Sequence, residues 1–518
     1  MALRWRATAA AAFCALHLLV FVPGIGEWSS ILDNDFAPQA DAIVNGGELP
    51  YRDQEVEYPP LSVPVLVLPE YLGEGTQNFR EGFGFEMLIF DIALIVLIAV
   101  ALPGSGRHVL SALGIYTAGV VMLSGAILDP SLIDTAPLIL VRFDLVPALF
   151  VLAAVLARDA ARSATWSAML SLGAAVKAFP IFLYPALLRG ESNLRRVVIA
   201  GAIPLVACAA AVLIMGDEFA SAITYHTERA LQVESLGATP FEVAHIFGAD
   251  VTSPTGHGGF EISADGATAA RWISVLIGVV IYVLVVRAGW RSRVPNLELV
   301  TALLTVMVVF APVLSPQFLL WILPLSAAAY GLSWNNLVLL VAILFTQIAL
   351  QNYDGVSELS GNFVWPVAAR NLWLLVYLIL VCGPILAAGR RDPAEARRLQ
   401  PSGRPHWAGP ALSAVAPVRG RLSALRLVVL QVDLGVLGPL LGELVLGEAG
   451  VDGARFDAGV AVDALVGIDV ELLDAVVVGL IGRRVDAVDW ADLDAGVVLG
   501  ADARLRDDVC QGARSFPG

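Results

Sequence analysis

The sequence predicts an all-α polytopic membrane protein with about ten transmembrane helices and one re-entrant segment. Three observations carry this reading. The 518 residues are 57% hydrophobic, with a mean hydropathy of +0.75. Several apolar runs approach or exceed the roughly 18–20 residues that cross a bilayer. Arginine clusters and acidic stretches alternate between those runs, as the positive-inside bias leads one to expect. In lipid the backbone must satisfy its own hydrogen bonds, so each span should be a helix.

The elements follow in order. Arg4 and Arg6 precede an apolar run of about 18 residues, which reads as an uncleaved first span with its N-terminus inside. An acidic outer loop follows over 25–85. Spans near 86–102, 109–127 and 138–156 come next, the last returning inside at Arg158 and Arg162. Residues 164–188 are then ambiguous. Read as one span, they would put Arg189, Arg195, Arg196 and the basic stretch 287–293 outside. Read as a re-entrant pair broken near Lys177 and Pro180, they keep every arginine cluster inside. The second reading is preferred. A span near 196–215, an outer loop over 216–269 and five further spans complete residues 1–390, with both ends of that domain inside.

Beyond 390 the character changes. Residues 401–518 hold 16 acidic residues against 10 arginines, and no helix or strand period persists. The tail 391–518 is expected to be cytoplasmic and either disordered or the product of a shifted reading frame; a regulatory domain is the other reading. The net charge of −15 argues against nucleic acid as a partner. Arginine outnumbers lysine throughout, and Lys177 is the single lysine. That usage, with so much Ala, Gly and Val, points to a GC-rich bacterial genome. No metal-ligand or disulfide spacing is visible, and no cofactor is expected.

In this topology the polar stretches gather at the outer surface. They are "LDNDFAPQADAIVNGGELPYRDQEVEYPPL", "LVRFDLVPAL", "YHTERALQVES" and "LSPQFLLWILPL". Carboxylates there can take a proton from a hydroxyl. Arginine and histidine can hold phosphate oxygens. Tyr and Trp can lie on a sugar face at the interface. Without further information Asp33 and Asp35 read as solvated loop acids as readily as a base. Arg142 and Asp144 read as a structural ion pair or a phosphate site. Lys177 binds a lipid phosphate or neutralises helix ends, and Asp91 pairs with an intramembrane arginine.

These motifs, with "GAAVKAFPIFLYPALL", resemble glycosyltransferase family 87 over about residues 1–390. These are actinobacterial enzymes that use polyprenyl-phosphate-mannose, and they resemble the wider C-type glycosyltransferase fold. The resemblance implies a plasma-membrane enzyme with its site facing outside. It would move a sugar, mannose first, from a polyprenyl phosphate to a hydroxyl of a lipid or glycan acceptor with inversion. It implies a catalytic carboxylate at Asp33, with Asp35 as its rival. It extends donor phosphate or sugar binding to Arg142, Asp144, Lys177, His226, Arg229, Glu234 and Gln317. It makes Tyr51, Glu57, Tyr58, Pro59 and Pro60 the rigid support of the first loop. Two other functions remain open: a lipid or glycan flippase, and a non-catalytic envelope scaffold.

The loss of periodicity past 400 yields a prediction. A chain truncated at 400 should insert into membranes and keep its activity, as read by membrane extraction and turnover. Normal insertion with lost activity would make the tail a working domain.

Overall fold

Six helices are long and apolar enough to cross a bilayer among the residues described by the computed structural model, namely 2–54, 56–73, 75–124, 137–215, 229–256 and 258–390. His226 and the tail 391–518 lie outside the described residues, as does part of the loop 216–269. Among the described residues the chain is mostly helical, with one hairpin of two-residue strands, and it is a multi-pass membrane protein.

Helix α1 (Ala2–Phe21) is followed by a loop that is itself structured. It forms a π-helical turn (Leu32–Phe36), α2 (Ala37–Val44) and α3 (Ser62–Val67). The next helix, α4 (Thr76–Ala101), starts earlier than the expected loop end at 85. Its first turns bury Phe79, Gly82, Phe83 and Glu86, a helical spacing that extends the apolar face. α5 (Gly106–Met122) begins at Ser105, whose hydroxyl accepts from the His108 amide at 3.3 Å.

Polar contacts tie these first helices together. Arg6 donates to the carbonyls of Ala99, Val100 and Leu102 at 3.2, 3.0 and 2.9 Å, covering oxygens that the end of α4 leaves unpaired. His17 lies 2.6 Å from Asp91 and 2.8 Å from Thr117, and the Tyr116 hydroxyl donates to Asp91 at 2.7 Å. Asp91 thus pairs with a histidine rather than with an arginine, because α1 packs directly against α4.

Three proline-bearing stretches interrupt the helices that follow. α6 (Leu138–Val141) ends at Arg142, whose backbone is extended, before α7 (Leu145–Asp159) begins. A helix running through this point would drive the Pro147 ring into the carbonyl of Phe143. α8 (Ser163–Val176) stops at the extended Lys177, where Pro180 forbids the same continuation over Val176. A 3₁₀ turn (Phe179–Leu183) and α9 (Tyr184–Leu187) then lead back. A Cβ on Gly173 would lie 3.1 Å from Phe150 and 3.3 Å from the Pro180 ring, so glycine lets the two broken helices meet.

The stretch doubles back on itself. Arg158 donates to the carbonyls of Leu187 and Arg189 at 2.7 and 2.8 Å. Glu191 accepts from Ser163 at 2.9 Å and from Trp166 at 3.0 Å. α10 (Leu194–Met215) packs along α8. Beyond it come α11 (Thr239–Ile246) and a hairpin of β1 (Thr255–Gly256) on β2 (Gly259–Phe260). The remaining helices are α12 (Ala267–Arg291), α13 (Asn296–Val309), α14 (Leu319–Tyr330), α15 (Trp334–Gln351) and α16 (Gly361–Arg390). The third break, Ser315–Phe318, precedes α14.

Two ends emerge. At one, Arg189 donates to Gly289 and to Asn296 at 2.9 and 2.8 Å, beside Arg158 and Glu191. At the other, residues 231–267 and 349–367 share a small core of Leu231, Val233, Ile262, Phe363 and Val367. α10 and α12 turn Val198, Val206, Ile273, Leu276 and Val283 outward, as lipid-facing helices do.

This doubling back yields a topology prediction. A cysteine near Arg195 should resist an impermeant thiol reagent in intact cells, and one near Gly258 should react. The reverse labelling pattern would place the two ends on opposite sides from those the arginines indicate.

Candidate active site

The π-helical turn of the first loop carries both leading acids, and it treats them differently. Asp33 pairs with Arg80 of α4, Oδ1 to Nε at 3.1 Å, both side chains being mostly buried. Asp35 is exposed. Burial by its surroundings pushes its carboxyl above the usual range, Arg142 opposes this and Glu57 adds to it. Asp35 thus feels the charge of Arg142, whereas Asp33 is paired with Arg80. Phe36 anchors the turn, with ring centroids 5.7 Å from Phe83 and 6.1 Å from Phe143.

The rest of the first loop returns over the same ground. Tyr51 is buried with a φ of +64° and donates its hydroxyl to the Tyr58 carbonyl at 2.5 Å. The Ser62 hydroxyl donates to the Pro59 carbonyl at 2.7 Å, and the Leu61 amide to Ala175 at 3.0 Å. The last bond ties the two prolines to the end of α8. Tyr58 stands edge-on to Phe143 at 4.9 Å. Its hydroxyl is raised well above its ordinary value by burial and then by Glu57, with Arg142 opposing.

Arg142 occupies the first proline break. Its Nε is buried and has no hydrogen-bond partner. None of the ion pairs among the described residues includes it. Yet its charge is felt by Asp35, Tyr58, Glu234 and Tyr353, which come from four separate segments. Two residues on, Asp144 is buried, and its Oδ1 accepts from Lys177 at 2.7 Å and from Trp321 at 2.6 Å. Lys177 also faces the rings of Tyr58, Phe143, Phe318 and Trp321 at 5.3, 5.1, 5.8 and 5.3 Å. Gln317 is nearly buried in the turn just before Phe318.

Behind Arg142 lies a second buried group. Arg370 of α16 is wholly buried and donates to the Glu234 carbonyl. Its Nη1 stands 3.9 Å from the Glu234 carboxylate, which also accepts from Gln232 at 3.1 Å. Glu242 is fully buried with no hydrogen-bond partner on either oxygen. Burial raises its carboxyl well above the usual range, with Arg370 opposing and Glu234 adding. Arg229 lies against Gly259 of the hairpin.

The structure thus brings Asp35, Glu57, Tyr58, Arg142, Asp144, Lys177 and Glu234 together, with Asp33 two residues before Asp35 and Gln317 next to Phe318, which faces Lys177. His226 falls outside the described residues. Sequence reasoning missed Arg80, Phe143, Tyr353, Arg370 and Glu242. Arg370 had a signal: it is a charge inside the last apolar stretch, where charge points to function. Nothing local marks Glu242.

Glu234 gives the pH dependence. Burial raises its carboxyl to about 7, against Arg370 and then Arg142. The folded value exceeds the unfolded one, near 4.3, so its contribution to stability is complete below that value and is lost as pH rises through about 7. The unfolding temperature of the wild type should fall relative to that of Glu234→Gln between about pH 4.5 and 7, and level off above. Parallel curves for the two proteins would refute this assignment.

Comparison with known families closes the description. The sequence profile of glycosyltransferase family 87 matches residues 57–316, half of the chain. The match takes in Glu57, Arg142, Asp144, Lys177 and Glu234 and stops within the turn before Gln317. No curated protein matches the chain. With a profile match of that extent on a multi-pass helical membrane protein, the chain belongs to glycosyltransferase family 87.

Proposed function

We propose that this glycosyltransferase takes its sugar, mannose first, from a polyprenyl phosphate. It passes the sugar to a hydroxyl of a lipid or glycan acceptor at the outer face of a bacterial plasma membrane. Residues 1–390 form the transferase domain, with ten spans and the re-entrant segment 164–188. Four of the shorter helices, α5, α7, α13 and α14, supply the remaining crossings. The tail is dispensable in this reading.

One observation carries the proposal: a buried, partnerless Arg142 nitrogen beside an exposed carboxylate of raised proton affinity. A cation without an anion suits a phosphate that arrives with the donor. The carboxylate suits a base. Asp35 takes the proton of the acceptor hydroxyl while its oxygen forms the new bond to the anomeric carbon. The bond from that carbon to the phosphate oxygen breaks on the opposite face, which inverts the configuration. The polyprenyl phosphate leaves with the electron pair, and Arg142 stabilises the charge that develops there. Glu57 lies beside this acid and keeps its proton affinity up. His226 and Arg229 are further candidate ligands for phosphate, and Gln317 for the sugar.

The test uses purified protein, radiolabelled polyprenyl-phosphate-mannose and a lipid extract. A labelled product identifies the acceptor class. Asp35→Asn has nearly the native shape but cannot take the proton. It should keep donor binding and lose about two orders of magnitude or more in turnover. Asp33→Asn should lose less, through a loosened contact with Arg80. If Asp33→Asn is dead and Asp35→Asn active, the base is Asp33. If both variants turn over normally, neither acid is the base and Glu57 is tested next.

A further inference from the structure

Lys177 is the single lysine of a chain that uses arginine at every other basic side-chain position. It stands in the break between α8 and the turn that follows, with its side chain 14% exposed. Its ammonium donates to Asp144 at 2.7 Å and is ringed by Tyr58, Phe143, Phe318 and Trp321 at 5.1–5.8 Å. We infer that Lys177 is a positioning residue: paired with Asp144, it holds Arg142 and the Glu57–Tyr58 turn in place around the donor phosphate without touching the donor. This inference rests on the functional reading above.

Three features support it. First, the ammonium already has an anion. A phosphate oxygen within hydrogen-bond distance of Nζ would have to displace a ring or crowd a buried carboxylate of like charge. Second, the enclosure suits a compact ammonium. A planar, forked guanidinium is the better phosphate ligand, and it is what a chain so rich in arginine would place at a simple phosphate contact. Being larger than an ammonium, it would have to shift rings whose centroids stand 5.1–5.8 Å from the nitrogen. Third, the contacts join the first loop, the Arg142 break and the third proline break. Phe143 lies between Arg142 and Asp144, and Tyr58 adjoins Glu57. Phe318 and Trp321 belong to the third proline break. The ring of Trp321 is itself held between Phe179 at 4.0 Å and Phe318 at 4.1 Å.

The experiment compares Lys177→Arg, Lys177→Met and the double variant Lys177→Met with Asp144→Asn. Each is purified as the full chain. Three quantities are read: unfolding temperature, equilibrium binding of sugar-free polyprenyl phosphate, and kcat and KM for the sugar donor. Lys177→Met leaves a buried carboxylate unpaired and should lower the unfolding temperature. The double variant removes both charges and should recover most of that loss. If Lys177 only positions, the double variant should bind polyprenyl phosphate within about threefold of wild type while kcat falls about tenfold or more, a split that lost packing alone would not give. Lys177→Arg should fall in kcat despite its retained charge. Two outcomes overturn the inference. One is a double variant of restored stability that has lost about tenfold or more in polyprenyl phosphate binding, which would make Lys177 a phosphate ligand. The other is Lys177→Arg with wild-type kcat and KM, since a cage that accepts either cation positions nothing. A wild type that binds no polyprenyl phosphate overturns the functional reading itself, and needs no variant to be seen.

Discussion

A carboxylate buried inside a membrane protein must be neutralised or protonated, and Asp144 is 1% exposed. Its Oδ1 takes both the ammonium of Lys177 and the indole N–H of Trp321. Each of the three residues sits at or just after a proline break in a different part of the chain. Satisfying one oxygen therefore fixes three segments that sequence distance leaves independent. The first loop joins them by covalent proximity and by rings, with Tyr58 against Phe143 and the Leu61 amide on the last turn of α8. If this carboxylate loses its partners, the breaks have no common reference point.

Broken helices cost backbone hydrogen bonds, and a chain in lipid tolerates them only where protein or water takes up the exposed groups. Here the breaks lie beside one another, so they share the same cover. They also free a residue from helical geometry: Arg142 has extended backbone between two helices. Its half-buried side chain can then lie among acids and tyrosines without being locked into an ion pair. In the function proposed above, a cation in that condition receives the anion of the donor. The neighbouring Arg80 is the contrast, since Asp33 already neutralises it.

The fold was legible because hydropathy and arginine placement act over whole segments. The six long helices follow directly from the apolar runs. The break at Lys177 was legible from Pro180 and from the basic residues flanking it. The start of α4 was not, because "TQNFREGFGFE" looks like loop composition and only its buried spacing, Phe79 to Glu86, makes it helix. The site was legible as a set of motifs but not as a set of partners. Sequence placed Asp33 and Asp35 two residues apart and could not say which one Arg80 holds. It offered Asp91 an arginine, whereas the helix that packs there brings His17. Arg370 could have been found as an intramembrane charge, but its partner Glu234 lies 136 residues away, a pairing that only the folded chain makes.

The enclosure of Lys177 has a chemical consequence of its own. The chain has one ε-amine, and four aromatic rings and a carboxylate surround it. Acylating reagents attack an exposed amine, and the walls leave this side chain 14% exposed. Modification at 177 is therefore slowed by the rings and quickens when they part. Its rate, read at residue 177 apart from any α-amine, reports on how open the junction of the four segments is.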